Sequence, residues 1–243
     1  MSKSRARFLP LATLLARQNR RVDEEAVHAG RVIVDGRIIT NPSARVRANA
    51  SIRVRTESRL RGDVKLSLAL DRFGVQIAGR VAADIGASAG GFTTALLARG
   101  AARVYAIDAG VGQLVGRLRA DERVVNLEGH NLGSITRQHV PGPIDIVTVD
   151  VSYLAVADAV PQLEALQFAP DADLLALVKP TFELRQGRPP LAPGQLHAAL
   201  RRATDEVNAG SWRVVATCQS VVTGARGTTE FFIHARRQAR RGP

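Results

Sequence analysis

The sequence predicts an α/β chain in which a small, arginine-rich α+β module precedes a doubly wound, mainly parallel sheet of seven strands. Three observations carry this expectation. From about residue 63 onwards, short apolar runs alternate with helical stretches, the pattern of strand–helix–strand units. A turn of glycine, alanine and serine, Gly86 to Gly91, joins the first of these runs to the helix behind it. Charge is segregated: residues 1–60 hold 13 Lys and Arg against 5 Asp and Glu, residues 61–235 balance at 17 and 17, and residues 236–243 add four Arg.

In chain order, Leu9–Arg17 and Val22–Ala29 read as two short helices, with Asn19-Arg20-Arg21 between them. Arg31–Val34 and Arg37–Thr40 alternate as strands around Asp35-Gly36, a pair that tolerates the positive φ of a tight hairpin turn. Asn41-Pro42-Ser43 breaks the chain, and Ser51–Thr56 alternates again. A unit of this size, 1–56, is too small for a second catalytic core and suits a binding module. Residues 57–62 read as a polar linker. Asp63 is placed to cap a helix running to Phe73, with Lys65 in its first turn. Strands follow at Val81–Ile85, Arg103–Ile107, Val124–Leu127, Ile144–Val149 and Leu174–Val178. Helices are expected over Gly91–Arg99, Gly112–Leu118, Ala155–Leu166 and Pro193–Ala209. Arg213–Val222 and Thr229–Ala235 are separated only by a turn, so they form an antiparallel hairpin. The domain then spans 63–237 and leaves a basic tail over 238–243.

Composition narrows the class. Hydrophobic residues make up 45% but aromatics only 4%, so the core must be built from Ala, Val, Leu and Ile. A single cysteine, Cys218, excludes an internal disulfide and suits a reducing compartment. The basic start is followed by an apolar stretch, Phe8–Ala16, too short for a secretory signal, and no run approaches the roughly 20 residues of a membrane span. A cytoplasmic protein is expected. The excess positive charge at the two ends suits a polyphosphate partner bound with salt-dependent affinity. His28, His130, His139, His197 and His234 show no ligand spacing, so no metal is expected. Of 34 basic residues only Lys3, Lys65 and Lys179 are lysines. Where arginine is the general-purpose cation, a retained lysine marks a position where a group that can give up its proton is wanted.

The central motif is Asp84-Ile85-Gly86-Ala87-Ser88-Ala89-Gly90-Gly91-Phe92. Its small residues let backbone approach a ligand, and the helix behind it presents free N–H groups. Three ligand readings compete. A dinucleotide site requires a second glycine where Ser88 stands. A hydrolase elbow would make Ser88 the nucleophile, with Asp150 or Asp173 and then His197 or His234 completing a triad, but no upstream loop supplies an oxyanion hole. An S-adenosylmethionine site would use Asp84 for the methionine amino group, and the glycine turn for the methionine moiety and ribose. Asp108, ending the next strand, can accept both ribose hydroxyls of any nucleoside. Asn131 is a candidate adenine contact, and an ordinary loop asparagine fits it equally. Asp150 and Lys179 end the fourth and fifth strands, opposite in sign and facing the glycine turn, where doubly wound sheets place their sites.

These runs carry a specific resemblance. GASAGGF at 86–92, DAGVGQL at 108–114, DVS at 150–152 and VKPTFE at 178–183 resemble the TlyA (haemolysin A) family over nearly the whole chain. The resemblance implies an S4-like RNA-binding domain followed by a Rossmann-like, FtsJ-like methyltransferase domain. It implies methyl transfer from S-adenosylmethionine to ribose 2′-hydroxyls of ribosomal RNA or ribosomal subunits. The family's Lys-Asp-Lys-Glu tetrad falls on Lys65, Asp150, Lys179 and Glu230, so the two unusual lysines are the two tetrad lysines. The cofactor set falls on Asp84, Gly86, Ala87, Ser88, Gly90, Gly91, Phe92, Asp108 and Asn131. Arg20, Arg21, Arg31, Arg37 and Arg45 become the RNA contacts of the first module. Two stretches depart from the family pattern: residues 184–190, which lack its glycine-rich continuation, and the first helix, where Pro10 and Leu11–Leu15 replace a more basic surface. In the expected chemistry Lys179 takes the ribose proton or stabilises the developing alkoxide, and Glu230 orients Lys179 or the ribose. A non-catalytic RNA-binding or ribosome-assembly factor on the same fold is the alternative. A membrane-lytic role has no support in the sequence, which lacks a strongly amphipathic cationic helix with aromatics.

Overall fold

Buried apolar side chains gather into separate cores on either side of residue 58 in the computed structural model, which divides into Met1–Ser58 and Arg59–Pro243. The described residues are 7–17, 27, 32–39, 41–54, 60–186, 191–224 and 227–238. The expected contacts Arg20, Arg21 and Arg31, most of the helix expected over 22–29, and the tail beyond residue 238 lie outside them.

In the first unit, β1 (Phe8–Pro10) runs into α1 (Leu11–Arg17) and pairs antiparallel with β4 (Arg45–Arg47). A second sheet is built from β2 (Val32–Val34), β3 (Arg37–Ile38) and β5 (Ile52–Val54), in the order β3-β2-β5. Asp35 and Gly36 both take positive φ in the expected tight turn, and the Asp35 carboxylate accepts the Ser51 N–H at 2.8 Å. Leu11, Leu14, Leu15, Val32, Val34 and Ile52 fill the small core. The sequence reading missed β1 and β4. β1 lies in the apolar stretch whose residues from Leu9 on were read as helix, which begins only at Leu11, and β4 alternates Arg-Val-Arg with no apolar run.

The second unit begins with α2 (Arg61–Phe73) and builds a seven-stranded sheet. Its strands are β6 (Val81–Ile85), β7 (Arg103–Asp108), β8 (Val124–Glu128), β9 (Ile144–Val149), β10 (Phe168–Val178), β11 (Trp212–Gln219) and β12 (Phe231–Arg237). Their order across the sheet is β11-β12-β10-β9-β6-β7-β8. The first five run parallel, and β12 returns antiparallel between β10 and β11. From β6 the chain winds outward to β7 and β8, then crosses to β9 and β10. The switch therefore lies between β6 and β9, and a crevice opens there at the strands' carboxyl ends. Alternation sorts the side chains. Ala83, Ile85, Val147, Val149, Leu174 and Ala176 face one core, while Ala82, Ile146, Leu175 and Leu177 face α2 and α3 (Gly91–Ala98).

Several boundaries differ from the sequence expectation. α2 starts at Arg61 inside the expected linker, its N-cap is Leu60, and Asp63 lies buried in the first turn rather than capping it. The helix expected over 112–118 reduces to α4 (Gly116–Arg119). That expected over 155–166 is α5 (Val156–Ala159), continued by a 3-10 stretch over Val160–Ala165, because Pro161 lacks the N–H an α ladder needs. A short α6 (Pro180–Glu183) follows β10, and α7 (Pro193–Ala209) matches its expected span.

Candidate active site

The glycine turn is shaped by two close backbone approaches. Gly86 has φ +85°, and a Cβ there would lie 2.5 Å from the Asp150 carbonyl oxygen. The Asp150 N–H donates to the Ile85 carbonyl at 2.9 Å, so the ends of β6 and β9 are laced together. A Cβ on Gly91 would meet Gly62 Cα at 2.8 Å and Asp63 N at 3.0 Å. The N-termini of α2 and α3 thus meet backbone to backbone, and α3 begins at Gly90 with no side-chain cap. Leu60–Gly62, Gly86–Ala89, Gly91, Phe92 and Asp150 line a cavity of about 180 Å³ between them. Phe92 is otherwise a core residue, stacked on Phe232 at 6.0 Å between ring centres.

Asp108 closes β7 beside this turn. Its carboxylate accepts the Ser88 N–H at 2.8 Å and the Gly110 N–H at 2.7 Å, and Ser88 holds a positive φ of 48° to make the first bond. The Ser88 hydroxyl donates to Gln113 Oε1 at 3.1 Å. Glu128, the last residue of β8, fixes the loop after Asp108 by accepting the Gln113 and Leu114 N–H groups at 2.5 and 2.9 Å. The Asn126 amide and these N–H groups pull the Glu128 carboxyl down to about 2. Asn131 spends its side-chain oxygen on the Ser134 N–H at 3.0 Å, capping a 3-10 turn.

Asp84 is not where the sequence reading put it. It is fully buried, and its two oxygens accept the hydroxyls of Thr93 (2.7 Å) and Thr148 (2.9 Å). Alternation explains this: Ile85, not Asp84, ends β6, and Asp84 shares the face of Ala82 that looks into α3. Burial pushes its carboxyl up to about 6 against the pull of the two threonines. Asp84 therefore ties the N-terminal turn of α3 to β9, and it does not line either cavity around the glycine turn.

The four tetrad positions come together from distant parts of the chain. Lys65, in α2, pairs with Glu230, just before β12, at 2.5 Å. Both are almost fully buried. A Cβ on Gly224 would run into the Glu230 carboxylate and the Thr228 hydroxyl, so this glycine seats the acid. Lys179 pairs with Asp150 at 2.7 Å, and its ammonium also donates to the Val151 carbonyl at 2.9 Å and the Ser152 hydroxyl at 2.8 Å. Those contacts use all three N–H directions of an ammonium. Glu230 therefore orients Lys65 and not Lys179, contrary to the sequence expectation. Lys65, Gly86, Ser88, Asp150, Lys179 and Glu230 share the lining of one cavity of about 910 Å³, with Tyr153 and Phe182 at its lip.

Glu183 escaped the sequence reading. It is buried, its carboxylate accepts the Val156 N–H at 2.5 Å, and burial pushes its carboxyl up. It thereby joins α6, which follows Lys179, to the N-terminus of α5, which follows Asp150. No sequence signal distinguishes it from an acid on a solvated turn. The hydrolase reading fails on geometry. Asp173 and His234 do lie 2.7 Å apart, joined by Arg80 at 2.6 Å, but toward the other end of the sheet. Asp173 stands five residues before Val178 on β10, or about 17 Å along the strand. Among the described residues no histidine lines either cavity.

Arg37 and Arg45 of the first unit are exposed, the latter donating to the Phe8 carbonyl at 3.4 Å. Among the described residues no group of His, Cys, Asp and Glu could hold a metal ion, and no helix is long and apolar enough to cross a membrane.

Comparison with known proteins fits this geometry. The profile of the FtsJ-like methyltransferases matches residues 58–237. The 16S/23S rRNA (cytidine-2′-O)-methyltransferase TlyA of Mycobacterium tuberculosis is 38% identical over 92% of this chain and 87% of its own. Among solved structures, a hemolysin-named protein of Lactococcus lactis superposes with a TM-score of 0.69 at 30% identity, over 76% of this chain and 94% of its own. One from Streptococcus thermophilus gives 0.64 at 28% identity, over 95% and 89%.

Proposed function

The chain belongs to the FtsJ-like methyltransferase family, in its TlyA branch, and on that premise we propose that it methylates ribose 2′-hydroxyls of ribosomal RNA from S-adenosylmethionine. The observation that carries the proposal is the pair of ion pairs, Lys65–Glu230 and Lys179–Asp150, on the wall of one cavity beside the glycine turn. A non-catalytic RNA-binding protein would have no use for two retained lysines so closely matched to acids.

The residues present fit the cofactor. Gly86 and Gly91 let the ends of β6 and β9 and the N-termini of α2 and α3 close together around the smaller cavity, and the uncapped N-terminus of α3 offers N–H groups beside it. Those groups, with the N-terminus of α2, suit the methionine carboxylate. Asp108 has a second lone pair on Oδ2 for a ribose hydroxyl, a second hydroxyl would replace the long 3.5 Å bond that the Gln113 amide donates to Oδ1, and the bonds from Ser88 and Gly110 hold the carboxylate in place. Asp84 acts one layer back, by fixing α3 to β9. When bound, S-adenosylmethionine supplies a methyl carbon already activated by its sulfonium.

What remains for the protein is position and charge. A ribose hydroxyl is a weak nucleophile at neutral pH. Asp150 offers an acceptor for its proton, and Lys179 holds a positive charge where the alkoxide develops. The Val151 carbonyl and the Ser152 hydroxyl keep that charge from swinging away. Lys65, seated by Glu230, adds a second positive charge to the lining of the same cavity. Tyr153 and Phe182, 49% and 37% exposed at the lip of the cavity, give the target base flat apolar faces. The first unit, S4-like in this proposal, anchors RNA through its exposed arginines, Arg37 and Arg45 among them. Ribosomal RNA as substrate makes the cytoplasm the place of action.

The test is transfer of a labelled methyl group to ribosomal RNA, and to ribosomal subunits, from a strain lacking the gene. The product is then digested and mapped. A 2′-O-methylated nucleoside is expected. Absence of transfer, or a methyl group on a base, overturns the proposal.

A further inference from the structure

Lys65 has a second neighbourhood. Besides the catalytic cavity it lines a cleft of about 400 Å³ between α2 and the end of β11, together with Leu68, Arg72, Gln219 and Val221. That volume lies in the usual range of small-ligand sites, roughly 300–1,000 Å³.

The residues on α2 form a stripe. Lys65, Leu68, Ala69 and Arg72 stand at i, i+3, i+4 and i+7, which places them one above another on a single helix face. Lys65 and Arg72 are then about 10 Å apart along the axis. Arg72 is exposed and makes no hydrogen bond or ion pair among the described residues. Leu68 and Val221 both line the cleft and are 39% and 79% exposed. Six large hydrophobic side chains are exposed among the described residues of this unit, and four of them border the two openings that meet at Lys65: Tyr153 and Phe182 at one, Leu68 and Val221 at the other. A free cation beside exposed apolar side chains, in a cleft that shares Lys65 with the catalytic cavity, matches the chemistry of a nucleotide: a phosphate for the cation and a base face for the apolar side chains.

We propose that this cleft is a second nucleotide subsite, holding the RNA nucleotide next to the methylated one, with its phosphate on Arg72 and its base against Leu68 and Val221. The inference rests on the RNA-methyltransferase reading above. The subsite fixes the direction in which the strand leaves the catalytic cavity, along α2, and makes the identity of the neighbouring base a determinant of target choice.

The experiment uses the full chain, with ribosomal RNA and ribosomal subunits from a gene-deletion strain as probes. Arg72→Gln should raise the KM for RNA about tenfold, with kcat and S-adenosylmethionine affinity unchanged. It should also flatten the slope of log affinity against log salt by about 0.7–0.9, the share of one phosphate contact. Arg72→Lys should restore most of both. Leu68→Ser with Val221→Ser should raise the KM without touching the salt slope. All sites are exposed, and a thermal melt confirms folding. If wild-type enzyme methylates RNA while both the Arg72→Gln and the Leu68/Val221 variants keep its KM and slope, the subsite is overturned and the methyltransferase reading stands. If wild-type enzyme transfers no methyl group to RNA, both fall together.

Discussion

Replacing Lys179 by arginine tests the chemistry most directly, because it keeps the charge and changes only its geometry and its acidity. Three acceptors surround the Lys179 nitrogen, Asp150 at 2.7 Å, Ser152 at 2.8 Å and the Val151 carbonyl at 2.9 Å. An ammonium can point one N–H at each from a single atom. A guanidinium spreads its N–H groups around a plane, so at least one contact is lost and the centre of charge moves by about an ångström or more. Misplacement of that size costs about a hundredfold in rate. The expected drop in methyl transfer is therefore at least about a hundredfold, or about 2.7 kcal/mol in the barrier. Cofactor affinity should stay within about twofold, since Lys179 does not line the smaller cavity beside the glycine turn. Single-turnover transfer to ribosomal RNA, with calorimetry of S-adenosylmethionine binding, measures both. Transfer by the Lys179→Arg variant at a rate within about threefold of wild type would refute the geometric argument, and near-normal rates in Lys179→Ala would remove the Lys179–Asp150 pair from the chemistry altogether.

Asp108→Ala should weaken S-adenosylmethionine binding more than tenfold, the consequence of losing charge-assisted bonds worth about 1.5–3 kcal/mol, and unchanged calorimetry would contradict it. Gly86→Ala should weaken it as well, because the new Cβ meets the Asp150 carbonyl oxygen at 2.5 Å at a φ that disfavours side chains, and a wild-type rate and affinity would show the turn to be slack. Asp84 gives a pH signature: its folded-state carboxyl titrates at about 6 against an ordinary 3.8, so the folded form holds the extra proton between those values. Stability from this site is present at low pH and lost as pH rises from about 4 to 6, by about 3 kcal/mol. Wild-type melting temperature should accordingly fall relative to Asp84→Asn across that window, and parallel curves for the two proteins would count against the buried carboxylate. Arg37→Gln with Arg45→Gln should lower RNA affinity and its salt slope while sparing cofactor affinity, and an unchanged slope would exclude them as phosphate contacts.

The parallel sheet was readable because its strands are apolar on both faces and each ends in a change of residue type. Asp108, Asp150 and Lys179 announced themselves as charges closing such runs. Asp84 looked the same in sequence. Whether a carboxylate near a strand end meets a ligand or a helix depends on which side of the pleat it falls, and one residue of register decides that. The partnership of Lys65 with Glu230 spans 165 positions and has no local signature: the scarcity of lysine marked Lys65, whereas only the resemblance pointed to Glu230, which was expected to orient Lys179 or the ribose and pairs with Lys65. Short elements fared worst. β1 and β4 are three residues each, and their pairing is a tertiary fact. Glu183 was invisible because its burial comes from α5 and α7 closing over it.

Gly62 and Gly91 touch with no side chain between them, and that contact makes α2 and the glycine turn one mechanical piece. A ligand that stills the turn also stills the helix carrying Lys65, so the ordering entropy one substrate settles is no longer required of the other. Such coupling is reciprocal by thermodynamic necessity: whatever factor the methyl donor adds to the affinity for RNA, RNA adds to the affinity for the donor. Cooperative binding of the two substrates would then arise from the absence of two β-carbons, without any moving lid.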